Sequence, residues 1–116
     1  MGYMKHHAMV VTSFDEEKLA TAHAMAEKLL PELVTPIIES RINGYQSFFI
    51  APDGSKEAWE ESDTGNEQRD QFIEWLNSQR YDDNSTPFEW VEFTYSGDDW
   101  DAGVSRHAWT GVEVSE

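Results

Sequence analysis

The side chains here that can do acid–base or metal chemistry near neutral pH are four histidines and a surplus of carboxylates. His6 and His7 run directly into Ala8-Met9-Val10-Val11-Thr12-Ser13, an apolar and β-branched stretch that reads as a strand. Neighbouring strand side chains point to opposite faces, so His6 and His7 cannot both hold one metal ion. His23 falls inside a helical pattern and His107 in the tail, and neither forms an H-x-x-x-H or H-x-x-E pair with another ligand. Structural, partly exposed positions account for all four. The alternative left open is a small metal-binding protein or enzyme using His6, His7 or His107 with nearby carboxylates.

The densest acidic knot is Asp98-Asp99-Trp100-Asp101-Ala102-Gly103. A calcium loop needs oxygen ligands at positions 1, 3 and 5 and a Glu at 12. Counting from Asp99 puts Asp101 at position 3, but Gly103 at 5 and Thr110 at 12, and the match fails. No G-x-S-x-G, glycine-rich phosphate cradle or serine triad is present. These absences point to a non-enzymatic protein with no cofactor.

What the carboxylates offer instead is a field. The 23 acids and 8 bases give a net charge of −15, spread unevenly. Residues 1–52 carry six acids and four bases; residues 53–116 carry seventeen acids and four bases. Such a surface steers cationic partners and disfavours nucleic acid and anionic membranes, which reward a basic face. All five tryptophans, Trp59, Trp75, Trp90, Trp100 and Trp109, lie in the acidic half. Trp is enriched at the centres of protein contacts, where surrounding charge sets the encounter. Trp59, Glu60, Glu61, Asp98, Asp99, Trp100 and Asp101 are therefore the candidate partner-binding residues. The partner would be a basic or nucleic-acid-binding protein, whose site carboxylates can occupy by imitating phosphate. The plainer account is that the tryptophans pack inward and the acids only solvate.

These residues are positioned by a short series of elements. A strand over 7–12 ends at Ser13-Phe14-Asp15-Glu16, which has the form of a capping box with Ser13 as N-cap. The helix that follows keeps Leu19, Ala22, Ala26, Leu29, Leu30 and Leu33 on one stripe and ends near Leu30, before Pro31. Asn43-Gly44 joins two β-prone runs as a two-residue hairpin turn, pairing Ile42 with Tyr45, Ser40 with Ser47 and Ile38 with Phe49. That set is expected to face the helices. Ile37, Glu39, Arg41, Gln46, Phe48 and Ile50 then take the other, partly open face, and Phe48 with Trp90 would form a sheet-face homodimer contact.

A short turn over 56–61 precedes a second box, Thr64-Gly65-Asn66-Glu67, that opens a helix running to about Arg80 and burying Phe72, Ile73 and Leu76. A strand follows over Phe88–Tyr95, and Val104–Trp109 is suited to an extra edge strand. The order β-α-β-β-α-β predicts an α+β fold of the ferredoxin-like, split βαβ kind, an antiparallel sheet with both helices on one face. One domain is expected over 4–116, with a core over 6–95 and an acidic extension over 96–116. Met1-Gly2-Tyr3 precedes a second Met, reads as a non-native leader or an alternative start, and is left outside the fold.

Composition agrees with a folded domain: 39% apolar and 13% aromatic residues in 116 suffice for a core. Absent cysteine removes disulfide, zinc-ribbon and thiol chemistry and suits a reducing, cytoplasmic setting. No apolar run has the length of a membrane span, and no secretory leader is evident.

Taken as a string, His6-His7-Ala8-Met9-Val10-Val11-Thr12-Ser13, Asn43-Gly44-Tyr45 and Ala51-Pro52-Asp53-Gly54-Ser55-Lys56-Glu57 carry a resemblance, together with Trp59-Glu60-Glu61-Ser62-Asp63 and Phe72-Ile73-Glu74-Trp75-Leu76. Over residues 4–95 the chain resembles small acidic proteins encoded by tailed bacteriophages. The resemblance implies an accessory protein acting in the host cytoplasm that binds and modulates a host or defence protein. It implies no catalytic residues.

Overall fold

A computed structural model describes residues 5–56, 59–96 and 102–108. The elements are β1 (His6–Ser13), α1 (Glu16–Leu29), β2 (Ile38–Glu39), β3 (Gln46–Ile50), α2 (Glu60–Ser78), β4 (Glu89–Tyr95) and β5 (Gly103–His107). The strands form one five-stranded antiparallel sheet in the order β2-β3-β1-β4-β5. The protein is thus an α+β fold built on an antiparallel sheet and two helices.

One core joins the layers. Met9 and Val11 of β1, Phe48 and Ile50 of β3 and Trp90 of β4 meet Leu19, Ala22 and Ala26 of α1 and Phe72, Ile73 and Leu76 of α2. Trp75 stacks on Phe72 and tilts against Phe88, with ring centroids 6.3 and 6.0 Å apart. The alternation along β1 and β4 sends Met9, Val11, Trp90 and Glu92 to this side, and Val10, Val91 and Phe93 to the other.

Several local expectations are revised. The N-cap of α1 is Asp15, not Ser13: Lys18 N donates to Asp15 Oδ1 at 3.1 Å. Ser13 is still the last residue of β1, and its buried hydroxyl donates to Pro87 O at 2.6 Å, tying the strand to the approach of β4. Tyr81 OH donates to Asp15 Oδ2 at 2.6 Å, so the loop after α2 locks the cap of α1. That bond holds the Asp15 carboxyl below its ordinary range and pushes the Tyr81 phenol up to about 12.

The helix placed over 64–80 starts at Glu60, and Thr64–Glu67 lie inside it. Ser62, Gly65 and Arg69 continue the buried stripe of Phe72, Ile73 and Leu76, and this packing extends the helix backwards through the supposed second cap.

The hairpin is looser than a two-residue turn. Ile38 pairs with Ser47 and Glu39 with Gln46, and Ser40 N donates to Tyr45 O at 2.8 Å. The register is thus two residues away from that expected, and Arg41–Gly44 form the loop. Asn43 and Gly44 both adopt φ of 69°, the left-handed geometry that led to the turn assignment. Pro36 has no N–H to give, and pairing on this strand is reduced to two residues plus a bridge from Val34 to Ile50.

Candidate functional site

The four histidines are dispersed. His6 sits on the sheet face away from the helices, its ring 5.1 Å from that of Tyr95, and its buried Nδ1 has no hydrogen-bond partner among the described residues. His7 takes the helix side, where its charge helps to hold Asp53 ionised. His23 Nε2 lies 2.8 Å from Thr35 O and its ring packs edge-on against Phe48, a structural position. His107 is on the edge strand β5. Among the described residues no three His, Asp or Glu side chains converge to hold a metal ion.

Trp59, Glu60 and Glu61 are brought together at the start of α2. Asp53, Glu60, Glu61, Thr64, Gly65 and Gln68 line a cleft of about 380 Å³. An adjoining cleft of about 310 Å³ is lined by Asp53, Gly54, Ser55, Trp59 and Glu61. The shared walls, Asp53 and Glu61, make the two one acidic groove between the loop after β3 and the first turns of α2.

The loop is built for this approach. Asp53 Oδ1 accepts from Ser55 N at 2.9 Å and Ser55 Oγ at 2.7 Å, a local turn that fixes its carboxylate. The second oxygen reaches α2 where Gly65 leaves room: a Cβ there would meet Asp53 Oδ2 at 2.5 Å. Partial burial pushes the Asp53 carboxyl up, but the Ser55 hydrogen bonds and the charges of Arg69 and His7 outweigh it and leave it below the ordinary range. Trp59 is 45% exposed. Lys56 Nζ lies 5.7 Å from the centre of its ring, so a cation of the chain itself already uses the indole face.

Behind the groove lies a buried charge network that the sequence reading missed. Arg106 grips Glu92 with two bonds, Nε to Oε1 at 2.7 Å and Nη2 to Oε2 at 2.8 Å. Ser105 Oγ adds a third at 2.9 Å, and Arg69 Nε faces Oε2 at 3.3 Å. Arg69 also donates to Asn66 Oδ1, and Arg106 Nη1 reaches Asp70 at 2.7 Å. Glu92 is 2% and Arg69 5% exposed. Burial pushes the Glu92 carboxyl up, but the bonds from Arg106 and Ser105 and both guanidinium charges prevail and hold it below its ordinary range. The network pins α2 to β4 and β5, and the Arg69 charge also acts on Asp53 in the groove. A signal was available: Arg69 lies three and four residues before Phe72 and Ile73, and Glu92 alternates with Trp90 on the core side.

The other candidates divide. Phe48 and Trp90, expected on an open sheet face, are core residues at 2% and 6% exposure, which removes them from any dimer contact. The sequence Phe48-Phe49-Ile50 is apolar on both sides, and opposite Val11 it is Phe48 that faces the helices. The open face instead carries Val10, Phe49, Val91, Phe93, Tyr95 and Val104. Asp98, Asp99, Trp100, Asp101 and Trp109 lie outside the described residues. No described helix is long and apolar enough to cross a membrane.

Compared with protein-family models, with curated protein sequences and with solved structures, the chain has no match. Fold and geometry therefore define the class by themselves: an α+β protein whose sheet is covered by helices on one face, with an acidic, tryptophan-bearing groove beside the second helix.

Proposed function

We propose that the protein is a non-enzymatic binding module that captures a basic segment of another protein in the Asp53–Trp59–Glu60–Glu61 groove. One observation carries the reading. An exposed indole lines the same cleft as the Asp53 and Glu61 carboxylates, and the chain's own Lys56 already lies over its ring. A partner's Lys or Arg would replace Lys56 over the ring or take the ring's other face, and would meet the carboxylates of the groove, joining cation–π attraction to charge pairing. The net charge of −15 would speed the encounter.

The resemblance to small acidic proteins of tailed phages gives this module a context, in which it occupies the nucleic-acid-binding site of a host or defence protein. The strand order β2-β3-β1-β4, all antiparallel, supports reading the fold as ferredoxin-like with β5 added at the edge. Such a fold hosts many functions and argues for none.

The test is calorimetric titration with a short arginine-rich peptide. Exposed pairs are each worth about 0.5–1 kcal/mol, so Glu60→Gln with Glu61→Gln is expected to weaken binding roughly tenfold. Trp59→Ala is expected to weaken it further, and added salt to weaken it progressively. Absence of binding at low salt, or binding indifferent to all three changes, refutes the proposal.

A further inference from the structure

We propose that the sheet face turned away from the helices is the contact surface of a homodimer. Both helices pack on the side of Met9, Val11, Phe48, Ile50 and Trp90. The opposite side presents Val10 of β1, Phe49 of β3, Val91, Phe93 and Tyr95 of β4 and Val104 of β5, while Ala8 on the same side of β1 is fully buried. Their rings form a continuous layer: Phe49 to Phe93 at 6.5 Å, Phe93 to Tyr95 at 5.9 Å, and Tyr95 to His6 at 5.1 Å. Val104 is 61% and Tyr95 37% exposed, and at the other edge Ile38 is 65% exposed. An apolar layer of this extent marks an interaction surface on a soluble domain.

Charge selects a second copy as the occupant. The chain has 23 acids, yet the paired positions of this face in β1 and β4 hold one carboxylate, Glu89, at the margin. At these described positions a basic partner would find one carboxylate to pair with. Two copies, each at −15, repel least through these described strand positions, where a single carboxylate stands. The area suffices for a weak, reversible contact. Five strands about 4.8 Å apart give a width of about 24 Å. The central strands, of 8 and 7 residues, are up to about 25 Å long. Allowing for the shorter outer strands, two such faces bury roughly 900 Å² in all, the size of such a contact. Two sheets stacked about 10 Å apart across a twofold axis would close the layer, with the acidic grooves outside it.

The salt response distinguishes this contact from groove binding. Screening relieves repulsion between like-charged copies and strengthens apolar burial, so the dimer tightens as salt rises, whereas capture of a cation weakens. Sedimentation velocity of the full chain from about 1 to about 300 µM, at about 50 and about 500 mM salt, reads both. The expected result is a concentration-dependent dimer, tighter at high salt. Val104→Glu with Tyr95→Glu, both at exposed positions, should weaken it at least tenfold with circular dichroism unchanged. Glu60→Gln with Glu61→Gln, in the groove, should leave the dimer intact or tighten it slightly. A monomer throughout the range overturns the proposal, as does a dimer that keeps its affinity in the well-folded Val104→Glu, Tyr95→Glu variant.

Discussion

Replacing Glu92 by Gln preserves the shape of the side chain and removes its charge, leaving Arg69 buried at 5% exposure opposite a neutral amide. Arg69 Nε lies 3.3 Å from Glu92 Oε2 with no hydrogen bond between them, so the change removes the charge that faces the buried guanidinium. Arg106 loses a charge-assisted, two-bond grip, though it is 41% exposed and still reaches Asp70, so its share of the loss is small. Breaking a buried pair by removing one partner costs about 3–5 kcal/mol. Taking about 3–4 kcal/mol, and about 4 °C per kcal/mol for a domain of this size, the melting temperature should fall by about 12–16 °C. Urea unfolding gives the free energy directly. Converting Arg69 and Glu92 together to Met should cost clearly less than the two single changes combined, because no isolated buried charge remains. A loss below about 1 kcal/mol in Glu92→Gln would mean that water reaches the network and that it does not hold α2 in place.

Further outcomes follow from the same geometry. Glu92 has a depressed carboxyl pKa in the folded state, so the unfolded chain binds more protons below the ordinary value of 4.5. Its contribution is present above that value and lost as pH falls through the folded pKa; acid unfolding of Glu92→Gln should therefore be shallower. The Asp15–Tyr81 bond acts on both sides of neutrality. Asp15 is depressed and its contribution is lost on acidification, while Tyr81, raised to about 12, loses its contribution as pH rises from the ordinary 10. Tyr81→Phe should flatten both limbs in chemical unfolding measured across pH, and unchanged limbs would contradict the bond. Phe48→Ala should cost about 3–5 kcal/mol and Phe49→Ala distinctly less, since Phe48 is core and Phe49 lies on the open face. Equal losses in urea unfolding would contradict that assignment of faces.

Much of this fold was legible because local signals and packing agree. The apolar stripe of α1, the end of that helix before Pro31, and the strand over Glu89–Tyr95 were all readable from spacing. Where they were not, tertiary contacts decided between local options. Ser13 and Asp15 both qualify as caps, and Pro87 claims the serine. In β3 both faces are apolar, and only the position of α1 and α2 determines that Phe48 goes inward. The groove was half visible. Trp59, Glu60 and Glu61 were legible as an aromatic–acid run, but Asp53 joins them only because Gly65 leaves space across the loop. The Arg69–Glu92–Arg106 network joins α2, β4 and β5, and long-range pairing of this kind leaves only a charged residue at a buried phase of each pattern.

The central claim, that the groove is a receptor for a cationic segment, is tested most directly by two-dimensional amide NMR of the full chain titrated with a short arginine-rich peptide at low salt. The account predicts saturable shifts confined to Asp53–Ser55, to Trp59 with its indole N–H, and to Glu60–Gln68, reversed by salt and reduced by Glu60→Gln with Glu61→Gln. Shifts absent from these residues, or spread evenly over all acidic positions, would contradict it.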